Sequence, residues 1–156
     1  MNIPKTKGNP SIISTGCFKT IFTSGTSDID LIDAYPISDE QGSLTNAYNF
    51  TIENTCSLAA SYQLNLETLS DTTLSLSRIK ISIDNEEPVL LSSLDNTNST
   101  IPDATSASIL KTGKLTAGTT KSYSIRMWLD DTNGSDKIST DVYKGKIVVT
   151  TVCNKN

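Results

Sequence analysis

The chain has 156 residues, of which 19% are charged, and its formal net charge is −4. This weak acidity argues against nucleic acid or an anionic membrane as a partner, because both need clustered Lys and Arg. The sequence contains no histidine, which excludes Ser-His-Asp and Cys-His nucleophiles, HExxH zinc proteases and histidine metal sites. No cofactor is expected, and the length suits one domain with a substantial core.

The first ten residues are polar and include two lysines and two prolines, a composition typical of a flexible N-terminal arm. Residues 11–156 are then predicted to form one β-sandwich domain. Within it, residues 11–23 are rich in β-forming side chains and are predicted to be a single strand. A short alternation at residues 29–31 predicts a second strand, and the proline and glycine within residues 35–45 indicate a loop.

Residues 46–66 are the most informative stretch, because they contain two strands separated by a corner. Apolar and polar residues alternate along both strands, and this period of two places each set on one face of a sheet. The apolar set is Tyr48, Phe50, Ile52, Tyr62, Leu64 and Leu66. One face of each strand is therefore expected to be buried.

Four further strands follow along the chain. Isoleucines alternate over residues 79–83, residues 108–115 are rich in β-formers, and residues 123–129 show the clearest alternation. Residues 142–153 complete the set, and Gly145 is predicted to mark a bulge within them.

About nine short strands separated by turn signals, with no segment of helical period, predict an antiparallel all-β sandwich of jelly-roll or immunoglobulin-like type. The Asn- and Thr-rich residues 95–106 are predicted to form an exposed, mobile loop. Alternation assigns these residues to the core: Phe50, Ile52, Leu64, Leu66, Ile81, Ile125, Met127, Ile147 and Val149.

The three cysteines, Cys17, Cys56 and Cys153, lack the CxxC spacing of a zinc or thioredoxin-type site. In an oxidising compartment two would pair and one would remain, whereas in the cytosol all three would be buried thiols. We predict a disulfide between Cys17 and Cys56, because it would tie the N-terminal strand to the corner that ends a central strand.

Four segments, taken in order, carry a family resemblance: AYPISDEQG at 34–42, YNFTIENTCSLAASYQLNLE at 48–67, LKTGKLTAGTTKSYSIRMWLDD at 110–131 and YKGKIVV at 143–149. Together they resemble the camelysin/TasA-type exported surface or matrix proteins of Gram-positive bacteria and their uncharacterised relatives. The resemblance covers most of the chain after the N-terminal arm.

This resemblance implies a jelly-roll-like sandwich, export, and a location outside the cell or on the surface of a Gram-positive bacterium. Some relatives form fibres in which an N-terminal strand completes the sheet of the next subunit. The chain shows no signal segment and no apolar run of membrane-span length, so for an exported protein we expect a mature form, or a trimmed one with Met1 added, that does not insert into a membrane. Camelysin has been regarded as a protease, but without histidine we expect no enzymatic activity here.

An oxygen-rich turn near the C-terminus, made of Asp130, Asp131, Asn133 and Asp136, partly resembles a calcium loop. Its register does not fit an EF-hand, and a solvated hairpin turn explains the same residues. These four side chains are therefore weak calcium candidates, and no metal site is predicted.

Two places in the sequence are candidates for binding a partner. Arg126 and Trp128 lie on the strand face opposite to the apolar row, where an exposed Trp128 could bind a sugar or a protein. If both faces of this strand are buried, Trp128 instead belongs to a second small cluster. Ile12 and Ile13, near the start of the first strand, are the other candidates.

Three functions remain open at this stage. The first is a non-enzymatic structural protein of the cell surface or matrix, a fibre subunit whose residues 11–23 add to a neighbour's sheet edge. Its partners would be further copies of itself or another surface protein, although the same segment could simply pair within its own domain. The alternatives are a phage virion component, such as a decoration or tail-fibre domain, and a glycan-binding adhesin module that uses Trp128 or residues 95–106.

Overall fold

The computed structural model describes residues 11–23, 25–132 and 137–152 of the chain, so the predicted arm at residues 1–10 lies outside it. The described residues form twelve strands: β1 (Ser11–Thr15), β2 (Phe18–Phe22), β3 (Asp28–Leu31), β4 (Pro36–Ile37), β5 (Tyr48–Asn54), β6 (Ala60–Leu69), β7 (Ile79–Ile83), β8 (Val89–Leu90), β9 (Asn96–Thr97), β10 (Ala104–Leu115), β11 (Thr120–Asp130) and β12 (Tyr143–Val152). One short α-helix, α1 (Asp39–Gly42), and two 3₁₀ turns, Leu76–Arg78 and Leu91–Ser93, complete the description.

The strands form two packed sheets, and the predicted all-β sandwich is confirmed. One sheet has the order β1-β2-β5-β11-β7-β8, and the other has the order β3-β12-β6-β10-β9. Nearly all strand pairs are antiparallel; the exception is the two-residue β4, which runs parallel to β11. The chain passes from one sheet to the other at several places, the step from β5 to β6 among them, since β3, β6, β9–β10 and β12 alternate with strands of the first sheet.

Alternation of apolar residues determines which strand faces meet between the sheets. All nine residues that the sequence assigns to the core are buried, and they belong to one hydrophobic cluster between the sheets. An aromatic group lies at one end of this cluster: Phe18, Phe22, Phe50, Tyr62 and Tyr123, with neighbouring ring centroids 5.5 to 6.5 Å apart.

Residues 11–23 do not form the single strand that their composition predicts. The chain reverses at Gly16, which has a left-handed backbone (φ 58°), and β1 then pairs with β2 as a hairpin. A side chain at Gly16 would also meet Thr151, whose Oγ1 would lie 2.9 Å from the added Cβ. Glycine is therefore required at this turn both for its backbone conformation and for space.

The predicted loop at residues 35–45 contains β4 and α1. Ser38 caps the helix: its Oγ accepts a hydrogen bond from Gln41 N, and Gln41 Oε1 accepts one from Ser38 N. This reciprocal capping box explains how a four-residue helix persists in a segment without helical period.

Gly145 does not mark a bulge, because its pairing with β3 and β6 is continuous in register. It instead makes room for the ring of Tyr143, whose hydroxyl would lie 2.6 Å from a Cβ at position 145. The irregularities of this sheet lie in β10, between Ala104 and Ser106 and between Ile109 and Lys111.

Leu64 and Ile125 are fully buried on opposite sheets, which makes them a test of the sandwich core. We expect Leu64→Ala or Ile125→Ala to lower the free energy of unfolding by about 2–4 kcal/mol through lost burial and an unfilled cavity. Urea denaturation measures this change, and the exposed Leu58 gives a matched Leu→Ala control. A cost below about 0.5 kcal/mol at both core sites would mean that the strand register is wrong.

Candidate functional site

Trp128 does not bind a partner through an exposed ring, because only 2% of its surface is exposed. Helix α1 covers it, and the backbone of Gly42 lies so close to the ring that any side chain there would clash. The indole Nε1 donates to Asp39 Oδ1 at 3.3 Å. The exposed-ring interpretation is therefore wrong, and the alternative that the second face of the strand is buried is confirmed at Trp128, whereas Ser122 on the same face is exposed.

Arg126 is half-buried beside this cover and its guanidinium already has partners. Nε donates to the Thr45 carbonyl at 2.8 Å, and Nη1 donates to Asn85 Oδ1 at 2.6 Å. The side chain thus links β11 to the chain after α1 and to the turn after β7. This structural role differs from the partner-binding role predicted for Arg126.

The predicted oxygen-rich turn is only partly within the described residues, because Asn133 and Asp136 lie outside them. Asp130 is buried and accepts a short hydrogen bond from Thr132 Oγ1, whereas Asp131 is exposed. Among the residues that the structure describes, no three Asp, Glu, Cys or His side chains group as a metal site would require.

The predicted disulfide between Cys17 and Cys56 is present, with the two Cα atoms 5.1 Å apart. It closes the end of the β2–β5 ladder, where Thr55 donates from both N (2.8 Å) and Oγ1 (2.6 Å) to the Cys17 carbonyl. The bridge thereby fastens the β1–β2 hairpin to the central strand, as the sequence predicts. Cys153 lies outside the described residues.

Ile12 and Ile13 belong to β1, which pairs with β2 of its own chain opposite Ile21 and Thr20. Phe18 and Phe22 of β2 are buried in the same domain. Residues 11–23 thus pair within their own domain, which is the alternative that the sequence left open. As the outermost strand of its sheet, β1 pairs on one side only among the described strands.

A second edge stretch lies in β12, beyond the residues that pair with β3. Strand β3 pairs with β12 only from Tyr143 to Lys146, and Ile147 N then donates to the Ser27 carbonyl at 2.9 Å. Beyond that bond, no strand within the described ranges pairs with β12 on the side away from β6. The open stretch of this edge is therefore the one around Val149, because Thr151 has an interaction partner and lies beside Gly16 of the β1–β2 turn.

A cavity of about 290 Å³ adjoins this open edge. Its walls come from both sheets and from the outer face of β12, and they include Phe22, Ser27, Ile101, Ile147, Val148 and Val149. Since Phe22, Ile147 and Val149 are also core residues, the cavity is a gap at the rim of the sandwich. An apolar side chain entering from the edge would bury itself against these residues.

Charged groups lie at one end of the cavity. Lys146, which lines it, makes an ion pair with Asp28 across the β12–β3 ladder at 2.7 Å. This hydrogen bond from Lys146 lowers the pKa of Asp28, whereas burial and the nearby Asp28 charge raise that of Asp30. The pair is half-exposed, so it adds little stability but marks where the apolar lining ends.

Sequence reasoning missed a buried carboxylate on the outer face of the same sheet. Glu67 in β6 is fully buried and accepts hydrogen bonds from Thr100 N and Oγ1 and from Ile101 N at 2.6 to 3.1 Å. Residues 95–103, which we call the strap, are thus hydrogen-bonded across the sheet at Thr100 and Ile101. Most of them are exposed, as composition predicts, whereas residues 104–106 of the predicted loop begin β10. No sequence pattern reveals this buried carboxylate, because Glu67 occupies a polar position in an ordinary alternation.

Two tyrosine hydroxyls, of Tyr62 and Tyr123, form a short hydrogen bond inside the aromatic cluster. Burial is the larger cause that raises the pKa of Tyr123, and the hydrogen bond with Tyr62 is the second. At alkaline pH the hydroxyl of Tyr123 therefore keeps its proton in the folded chain after the unfolded chain has lost it. The stability that this hydroxyl contributes is fully present below the pKa of a tyrosine in the unfolded chain, about 10, and is lost as the pH rises above that pKa. We therefore expect the free energy of unfolding to fall above about pH 10.

Urea denaturation at several alkaline pH values measures this fall, and a Tyr123→Phe variant should show a shallower one. An equally steep fall in the variant would show that other groups cause it.

Comparisons with known proteins give no family assignment. No family model matches the chain, and no curated protein matches it. A β-glucosidase structure from Kluyveromyces marxianus is similar over 70% of the chain but only 11% of the enzyme, with 11% identity and a TM-score of 0.25. The chain therefore spans about a tenth of that enzyme's length, and a likeness this low says nothing about activity. No helix in the described part of the chain is long and apolar enough to cross a membrane.

Proposed function

We propose that this chain is a non-enzymatic structural protein of the Gram-positive cell surface or extracellular matrix, and that it assembles into fibres by strand addition. The observation that supports this most is the apolar cavity beside the stretch of β12 around Val149, where pairing with β3 has ended. Strand addition uses these two features together, since main-chain bonds give affinity and a pocket for alternate side chains gives register.

The incoming strand in this proposal is β1 of a second copy, together with the residues ahead of it. Strand β1 has an open side, and its first residue pairs with Phe22, which lines the cavity. The donor β1 and the acceptor β12 are different strands of the chain, so the contact is head-to-tail. Such a head-to-tail contact generates filaments when it does not close into a ring.

The disulfide supports the proposed location. Disulfides persist in oxidising compartments, and this one holds the β1–β2 hairpin in its own domain. The donor must therefore act from the edge of an intact subunit, with β2 left in place.

Filling the cavity tests this function. In the full chain, Ser27→Phe places a large ring at the cavity wall, and it should block the incoming strand while leaving the Ser27 carbonyl bond to Ile147 in place. Ser92→Phe is the matched control, because Ser92 is exposed and is not part of this wall. Sedimentation velocity over a concentration series should show large assemblies for the wild type and the control, but monomers for Ser27→Phe. Equal assembly of all three proteins would refute docking at this edge.

A further inference from the structure

The β1–β2 hairpin is attached to the sandwich along one side only. It lies at the outer end of its sheet, and among the described strands the pairing of β2 with β5 is its only ladder to the rest of that sheet. From this ladder Phe18 and Phe22 enter the core. The hairpin can therefore leave as a unit without breaking any ladder between the other described strands.

Two covalent connections hold this hairpin, one at each end. At the Phe22 end, the chain continues through residues 23–27 to β3 in the other sheet. At the opposite end, Cys17 lies in the hairpin turn after Gly16 and is bonded to Cys56. While the disulfide is intact, the hairpin cannot swing away from β5. Reduction leaves the chain itself as the one covalent connection.

The connection at the Phe22 end has the properties of a hinge. Gly25 N donates to the Phe22 carbonyl at 3.1 Å, and Gly25 has a left-handed backbone (φ 84°) that favours glycine. Hinges of moving elements are short loop segments of this kind, which absorb large changes in φ and ψ. Once extended, residues 23–27 would span up to about 17 Å, which lets the hairpin reach a second copy at the same edge.

We propose that the Cys17–Cys56 disulfide is a redox lock on the exchange of this hairpin between two copies of the chain. After reduction, each hairpin swings out at the hinge and pairs with β5 of the other copy. The acceptor surface fits because it is the surface that the hairpin already occupies. The β2–β5 pairs, the buried sites of Phe18 and Phe22, and the hydrogen bonds from Thr55 to the Cys17 carbonyl re-form between the copies.

Both redox steps use small thiol compounds. Neither Cys17 nor Cys56 is fully buried, so a small dithiol can reach the bridge. The dithiol supplies both electrons and both protons, so the S–S bond becomes a pair of thiols and the dithiol becomes a disulfide. For reoxidation, the Cys17 thiolate attacks a small disulfide and releases one of its thiols. The Cys56 thiolate of the other copy then displaces the second thiol, and the two chains are joined.

This exchange uses neither the edge of β12 nor the cavity, so it is independent of the proposed function. The test uses an equal mixture of light and isotopically heavy full-length protein, with Cys153→Ser in both so that only Cys17 and Cys56 can pair. The mixture is reduced with dithiothreitol, held at several concentrations, reoxidised with oxidised glutathione and mapped by mass spectrometry without reductant.

We expect Cys17–Cys56 pairs that join a light chain to a heavy chain, and their amount should rise roughly in proportion to concentration until it saturates. The same mixture without reduction should contain none. Absence of mixed pairs at every concentration would overturn the exchange, and mixed pairs without reduction would overturn the lock. Equally frequent Cys17–Cys17 and Cys56–Cys56 pairs would show random oxidation and would also overturn the exchange.

Two glycine variants test the hinge in the same experiment. Below saturation, Gly25→Ala should raise the amount of mixed pairs at least about fivefold, because an alanine is strained at φ 84° only while the connection is closed. Gly118→Ala is the matched control, since Gly118 is also left-handed (φ 75°) but lies in open space between β10 and β11. Equal amounts of mixed pairs in both variants would overturn the hinge at Gly25.

Hydrogen exchange of the reduced protein at low concentration shows what is released. Amides in the β2–β5 ladder should exchange faster than in the oxidised protein, whereas those in the β6–β10 ladder should keep their rates. Equal acceleration in both ladders would mean that the whole domain opens, which would overturn release of the hairpin alone.

Discussion

Replacing Trp128 with alanine is expected to lower the free energy of unfolding by about 3–5 kcal/mol, the cost typical of a buried Trp. The ring is enclosed under α1, and its removal would leave both a cavity and an Asp39 carboxylate without its indole partner. Urea denaturation of the variant and the wild type gives this difference directly.

The matched control for Trp128 is Tyr35→Ala, because the Tyr35 side chain is 56% exposed and should cost no more than about 0.5 kcal/mol. A Trp128→Ala cost as small as that of the control would mean that α1 does not cover the ring. The ring would then be accessible after all, and a glycan-binding role for it would have to be reconsidered.

Removing the disulfide is expected to have the second large effect. Replacing both Cys17 and Cys56 with serine should cost about 3–4 kcal/mol, because the bridge closes a loop between residues separated by 39 positions and so restricts the unfolded chain. The double variant avoids a mispaired single thiol. Its free energy of unfolding should match that of the reduced wild type.

Peptide mapping without reductant checks the bridge itself and should recover the segments around Cys17 and Cys56 as one linked species. Recovery of three alkylatable thiols from protein denatured without reductant would contradict the pairing. Without the disulfide there would be no indication of an oxidising compartment, and the proposed surface location would lose that support.

Alternation along the strands is the reason that the fold class and the core could be predicted. A period of two is a local property, so Leu64, Ile125 and their equivalents can be assigned to one face without knowing their partners. The hairpin at Gly16 was missed because a glycine between β-formers can lie inside a strand or at a turn. The left-handed backbone at Gly16 and the pairing of β1 with β2 show that it lies at a turn, and the local sequence does not reveal this pairing.

Less of the candidate site than of the fold could be predicted from the sequence. Trp128 and Arg126 lie on a face that alternation predicts to be polar, but a four-residue helix covers that face from elsewhere in the chain. Pairing of β12 with β3 stops at Lys146 because β3 is only four residues long, and the cavity arises where two sheets and the strap meet. Such features depend on residues far apart in sequence, which no local pattern connects.

Electron microscopy of the purified full-length chain, over a range of concentrations, tests the central claim most directly. The account predicts filaments one subunit wide for the wild type and for Ser92→Phe, and dispersed particles for Ser27→Phe. Dispersed particles of the wild type at every concentration, with the disulfide confirmed to be intact, would contradict assembly by strand addition.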